Sequence, residues 1–152
     1  RKNGYQLALA KHGLSIRSEY CVEVPNISQG GTEKIASLLL QEEPPTAIVV
    51  SDDILAVSLE RVCMQNHVSI PDDLSIISFN NSLFARLTSP QLTSIDINFH
   101  QLGIEAATQM ISHIENPKLV ATKIIVPHHL IERDSCCKIS TACSSSDKHS
   151  MD

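Results

Sequence analysis

The sequence predicts an α/β fold in which helices flank a parallel sheet, and three observations carry that prediction. Residues 46–50 and 74–79 are short apolar runs, the first rich in β-branched side chains, which is strand texture. Between them, residues 53–66 place Leu55, Leu59, Val62 and Cys63 at helical spacing. From residue 3 to Phe79 helical and strand patterns alternate, the signature of a parallel α/β sheet. Two strands bracketing a helix of this length form a βαβ unit, with a right-handed crossover expected.

Each element follows from its own residues. Residues 3–12 read as a helix, with Tyr5 and Leu9 four apart and Gly13 as the stop. Residues 19–24 read as a strand ended by Pro25-Asn26. Ser28-Gln29-Gly30-Gly31-Thr32 is a loop into a helix that buries Ile35, Leu38 and Leu39. Its paired glycines lack the Lys and Ser/Thr of a phosphate-binding loop, so they read as a flexible helix entry. Glu42-Glu43-Pro44-Pro45 stops that helix, and Ile70-Pro71-Asp72-Asp73 is a turn. Residues 82–87 form a short helix or a loop, and Ser89-Pro90 breaks the chain. Residues 92–95 are a short strand. Asn98 then caps a helix to Glu115, with Gln101 in a capping-box position. Leu102, Ala106, Met110 and Ile114 form one row on it, with Ala107 and Ile111 beside, and Asn116-Pro117 ends it. Residues 122–126 and 128–132 read as strands, and from Asp134 onward the chain is small and polar, a disordered tail.

Composition bounds the function. The 152 residues are 42% hydrophobic and 19% charged, enough for one domain with a core. No run reaches the length of a membrane span. Net charge is −5 with no basic block, which argues against direct contact with nucleic acid. Without Trp, and with only two Tyr and three Phe, a base-stacking platform is not expected. Five cysteines without framework spacing suggest a reducing, cytoplasmic setting. Cys21 and Cys63 read as buried thiols; Cys136, Cys137 and Cys143 lie in or near the tail. The start, Arg1-Lys2-Asn3-Gly4, carries neither an apolar signal segment nor an initiator Met and reads as an expression boundary or a cut.

The chemistry concentrates at two positions. Asp52 follows the first strand of the βαβ unit and Asn80 the second, so both fall on the carboxyl edge, where open α/β sheets bind ligands. The plainer account is that Asp52 is a helix N-cap and Asn80 a turn residue. His128-His129 and Cys136-Cys137 invite a zinc reading, but adjacent residues of a strand point to opposite faces, so no metal site is expected. No cofactor fingerprint or nucleophile constellation is present.

The ordered set of motifs resembles the effector-binding region of the lac-repressor/galactose-repressor family of bacterial transcription regulators. The resemblance rests on Arg1-Lys2-Asn3-Gly4-Tyr5 with Leu9, Pro45-Thr46-Ala47-Ile48 to Ser51-Asp52-Asp53, and the run from Val68 to Asn81. It continues through Pro90-Gln91-Leu92-Thr93-Ser94-Ile95, Leu102-Gly103 with Ala106-Ala107, and Leu130-Ile131-Glu132-Arg133-Asp134-Ser135. Within that family the texture is most like repressors of maltose operons.

The resemblance implies an incomplete type I periplasmic-binding-protein-like fold, built from Rossmann-like subdomains that clasp a sugar or sugar phosphate. It assigns residues 1–90 mainly to the carboxy-terminal subdomain and residues 91–126 to the amino-terminal one. Residues 127–133 become a return strand, with 134–152 as tail. Arg1 falls on a family arginine that contacts the effector, and Asp52 on a polar ligand contact. Asn80 falls where the family usually has Asp; Asn donates as well as accepts, whereas an ionised Asp only accepts.

The resemblance also implies a homodimer through Ile54, Leu55, Ser58, Leu59 and Val62 of one helix and Leu83, Phe84 and Leu87 of the next segment. DNA would be met only through an N-terminal domain outside this chain, and no membrane is involved. The first helix lacks the strand that would feed it, and the apolar row of the 98–115 helix is left exposed. The chain is then a half-pocket that is metastable alone or completed by another chain. Two other readings compete: part of an extracytoplasmic sugar-binding transport protein, or an α/β enzyme using Asp52 as acid or base, which no cofactor or nucleophile supports.

Overall fold

The computed structural model describes residues 1–24 and 31–138. Four strands, β1 (Ala47–Val49), β2 (Ser75–Phe79), β3 (Thr93–Asp96) and β4 (His129–Ile131), lie side by side in that order in one sheet. β1, β2 and β3 are parallel and β4 is antiparallel to β3. Ile48 pairs with Ile76, Ser78 with Ser94, and Ile95 with Leu130. The helices are α1 (Lys2–Lys11), α2 (Thr32–Leu39), α3 (Asp53–Gln65), α4 (Leu83–Leu87) and α5 (Phe99–Glu115). This is the α/β architecture the sequence predicts, with β1-α3-β2 as its βαβ unit.

The period-two geometry of a strand decides where the core sits. Along β2, Ile76 and Ser78 are buried, whereas Ser75, Ile77 and Phe79 are only half-buried. The buried side meets α3, which contributes Ala56, Leu59, Val62 and Cys63, and α2 adds Ile35 and Leu39. Ala85 and Leu92 complete the layer. Each large aliphatic side chain removed from water there contributes roughly 1.5–3 kcal/mol. By contrast, α1 and α5 bury no residue at all. On α5, Met110 and Ile114 are 67% and 71% exposed, and Leu102, Ala106, Ala107 and Ile111 are exposed with them.

Several elements differ from the sequence reading. The strand predicted at 19–24 is a 3₁₀ turn over Ser18–Tyr20 followed by unpaired chain to Val24. Side chains fix it locally: Arg17 bonds both Glu19 and Glu43, and the Tyr20 hydroxyl donates to the Glu43 carbonyl at 2.8 Å. Residues 122–126 are extended but join no sheet, because β4 occupies the free side of β3 and they lie instead along α5. β3 stays in the sheet with β1 and β2, so residues 93–96 sit with the elements that precede them.

The end of the chain is also corrected. Asp134 to Cys137 are not tail. Ser135 is buried, its carbonyl accepts from the Ile76 amide, and its hydroxyl donates to the Ile76 carbonyl and accepts from the Thr93 amide. The Pro25-Asn26 turn, the loop up to Gly30, Cys143 and the tail from residue 139 lie outside the described residues.

A buried carboxylate ties the layers together. Asp53, 1% exposed, accepts from the Ser78 hydroxyl at 2.5 Å, the Ser94 hydroxyl at 2.8 Å and the Ser82 amide at 2.6 Å. Burial alone raises its pKa; the hydrogen bonds from Ser78, Ser82 and Ser94 together outweigh that and hold the carboxyl below its usual range. A lowered folded pKa means the unfolded state binds the extra proton. The Asp53 contribution is therefore complete above the unfolded value of about 3.9 and is lost as pH falls through the lower folded value.

We predict that Asp53→Asn, which offers an N–H where these donors need an acceptor, costs about 2–3 kcal/mol. That corresponds to a melting midpoint lower by roughly 5–10 °C near pH 7. An unchanged midpoint in a thermal melt would show that the network does not hold the layers.

Candidate functional site at the carboxyl edge of the sheet

The edge residues are set by how β1 and β2 end. Asp52, extended at φ −159°, caps α3 by accepting the Leu55 amide at 2.9 Å, and its second oxygen accepts from the Ser51 hydroxyl at 3.2 Å. Asp52 thus performs the plainer job its position suggested. After β2 the chain turns through two left-handed residues, Asn80 at φ 102° and Asn81 at φ 48°. Asparagine tolerates that region better than other residues with a Cβ.

Arg1 brings the two strand ends together. Its Nη1 donates to the Ser51 carbonyl, and its Nη2 donates to Asn80 Oδ1 at 3.2 Å. The guanidinium lies over the Phe79 ring, 4.5 Å from the centroid, a cation–π contact. With its oxygen held by Arg1, Asn80 turns its amide nitrogen out; that nitrogen has no acceptor among the described residues. An Asp at this position would present acceptors. This edge presents donors, from the Asn80 amide and from Arg1.

Of the eight residues expected at a dimer interface, two are corrected. Leu59 and Val62 are 2% and 1% exposed and belong to the core, because the apolar stripe of α3 turns toward β2. Leu55 and Ser58 are half-buried. Ile54 on α3, and Leu83, Phe84 and Leu87 on α4, are exposed at 54%, 61%, 48% and 70%.

Some residues that matter here were not singled out from the sequence. Asp53 read only as the start of a helix; the signal was the small polar pair Ser78 and Ser94 at inward-facing strand positions. Glu60 gave no signal. Its Oε1 is buried with no hydrogen-bond partner among the described residues, as is the Thr88 hydroxyl oxygen. Burial pushes the Glu60 carboxyl up to about 7, with the Thr88 hydroxyl pulling the other way. Burial, with Glu60 nearby, raises the Cys63 thiol to about 11, which keeps it protonated. Among the described residues no group of three His, Cys, Asp or Glu side chains could hold a metal ion, and no helix is long and apolar enough to cross a membrane.

A mostly parallel sheet with helices packed on it, and with an arginine, an aromatic ring and an amide gathered at its strand ends, marks an open α/β domain. The chain belongs to the periplasmic binding protein-like domain family, whose model matches residues 1–136. The resemblance to the lac-repressor/galactose-repressor regulators is borne out by its relatives. It is 34% identical over 139 residues to the NTD biosynthesis operon regulator NtdR of Bacillus subtilis, covering 89% of this chain and 41% of that protein. It is 30% identical over 132 residues to catabolite control protein A of Priestia megaterium, covering 87% of this chain and 40% of that protein. Among solved structures, a LacI family transcriptional regulator from Bifidobacterium animalis subsp. lactis superposes with a TM-score of 0.77 at 28% identity. That match covers 92% of this chain and 50% of the other. The chain spans about two fifths of the length of the curated relatives it matches.

Glu60 is half-buried, with its Oε1 shut off from solvent, and its charge therefore depends on pH in a way that bears on stability. Its folded pKa of about 7 lies above the unfolded value, so the folded state holds the extra proton between the two. Its stabilising contribution is present below roughly pH 4 and is lost as pH rises to about 7. Glu60→Gln should flatten that part of the stability profile and raise the melting midpoint at pH 8 by roughly 2–4 °C. Parallel profiles for the variant and the parent across pH 4–8 would reject this.

Proposed function

We propose that this chain is the ligand-sensing and dimerisation part of a sugar-responsive, DNA-binding transcription regulator of the cytoplasm, and not an enzyme. The observation that carries the ligand site is the edge cluster, where one guanidinium spans Ser51 and Asn80 beside the Phe79 ring and the Asn80 amide nitrogen has no acceptor among the described residues. Those donors suit the oxygens of a sugar or sugar phosphate, and the ring face suits the apolar face of a pyranose. Asp52 contributes by fixing Ser51 through the cap. DNA is met through a domain outside this chain. The relatives are transcription regulators, which favours this reading over part of a transport protein.

The mechanism is closure of two subdomains around the ligand, which shifts the arms of a homodimer. In this reading the boundary between subdomains falls after Asp96, since β3 pairs with β2, and α5 with residues 119–126 belongs to the other half. The exposed apolar row of α5 is then the face that the remainder of that half covers. The dimer forms through Ile54, Leu83, Phe84 and Leu87, which leave a polar-rimmed apolar surface on α3 and α4.

Two measurements test this. A thermal-shift screen of the chain against maltose, glucose, other disaccharides and sugar phosphates should show a ligand-specific rise. At a hundred times Kd the gain is about 2.7 kcal/mol, and Asn80→Ala should abolish it. A blank screen, repeated without a shift on a chain extended at its N-terminus, would reject a sugar effector. For the interface, Phe84→Glu should weaken self-association by roughly tenfold or more in sedimentation equilibrium. The same association constant in variant and parent would place the dimer contact elsewhere.

A further inference from the structure

The loop that presents Asn80 carries a second asparagine that faces inward. Asn81 Nδ2 donates to Asp96 Oδ2 at 3.0 Å, and Asn81 Oδ1 accepts from Arg133 Nη2 at 2.5 Å. Asp96 Oδ1 accepts from the Asn98 amide at 2.7 Å, and the Asn98 side chain in turn accepts from the Gln101 amide to cap α5. Arg133 is held at its other end, with Nη1 donating to the Leu92 carbonyl at 2.6 Å and its amide to Thr93 Oγ1 at 3.0 Å.

The chemistry fixes the direction of this chain of contacts. A guanidinium only donates and an ionised carboxylate only accepts. The Asn81 amide therefore has one orientation, with oxygen to Arg133 and nitrogen to Asp96. The expected capping box at α5 is only half made, because Asp96 takes the Asn98 amide in place of the Gln101 side chain, which reaches Glu105. Among the described residues four non-glycine residues have positive φ, and three of them, Asn80, Asn81 and Asn98, lie along this path. Left-handed backbone at such positions persists only where surrounding contacts hold it.

We propose that Asn81 and Asp96 are positioning residues that hold the Asn80 loop at the sheet edge and couple it to the start of α5. A ligand that displaces Asn80 then acts on the β3–α5 crossover through two side chains that do not touch the ligand. This rests on the reading of Asn80 as a ligand contact, but its test needs no ligand.

The test is a swap cycle read by amide hydrogen exchange on the chain. Asn81→Asp sets two carboxylates against each other, and Asp96→Asn sets amide against amide. The double variant restores a donor and an acceptor at every link, with the Asn98 amide still accepted. Each single variant should speed exchange at Asn80, Asn81 and Gln101 by about tenfold, and the double variant should return them to within about threefold of the parent. The Leu55 amide, capped by Asp52, reports on the other strand end and should stay unchanged. Should a single variant fail to fold, the double variant decides. Parent-like exchange in it upholds the pair, whereas exchange as fast as in a single variant, or failure to fold, overturns it. A Gln101 amide that ignores Asn81→Asp overturns the coupling. A sugar screen blank on both chains beside an intact cycle rejects the sugar effector and leaves the coupling standing.

Discussion

The fold depends on one buried carboxylate. Asp53 opens α3, yet its oxygens reach Ser78 on β2, Ser94 on β3 and the Ser82 amide ahead of α4. Four elements meet at one acceptor, and each contact is a hydrogen bond to a charged group, the stronger kind. A carboxylate this deep costs several kcal/mol unless its lone pairs are filled, on the order of the cost of any buried ion. Here the donors fill them, and the sheet must hold its register for them to do so. Slipping β3 by one residue would turn Ser94 away and take one of the three donors from the carboxylate.

That constraint places the edge above it. Asp52 and Asp53 are neighbours, but they face different ways: one caps the helix from outside and the other anchors it from within. Because Asp53 fixes where α3 starts, it fixes Ser51, and through the Ser82 amide it fixes where the Asn80-Asn81 turn ends. The exposed cluster of Arg1, Ser51 and Asn80 is therefore positioned by a group that no ligand could reach. Arg1 itself is held only by surface contacts, one carbonyl, one amide oxygen and a ring face. The half of the cluster carried by the sheet rests on the core, whereas the half carried by α1 rests on a helix that buries no residue.

Much of this was legible in the residues. The βαβ unit followed from spacing alone, as did the caps at Asp52 and Asn98. The edge position of Asn80 followed from the parallel order of two strands. The interior polar network was not legible, because Ser78 and Ser94 read as tolerated interruptions in apolar runs, and only strand register shows that they share a face with Asp53. The same limit explains Leu59 and Val62. Helical spacing marks an apolar stripe but not whether it meets the sheet or another molecule. Isolated strands at 19–24 and 122–126 failed for a related reason: β-branched texture makes a strand only where a neighbour supplies the ladder.

The distribution of burial then separates two kinds of apolar surface. Around α3 the inward stripe is spent on the core, and what remains outside is a compact set on α3 and α4, with charged Arg86 among them. Along α5 the row is exposed from Leu102 to Ile114, and the extended residues 119–126 carry Val120 and Ile125 in the same state. The set on α3 and α4 flanks a stripe that is already packed. A helix that buries nothing is different, since 17 residues of amphipathic helix gain little stability from propensity alone. The first surface lies on helices already packed into the core, whereas α5 buries no residue. The Asn81–Asp96 link stands between the packed sheet and this unburied helix, since Asp96 also accepts the Asn98 amide at the start of α5.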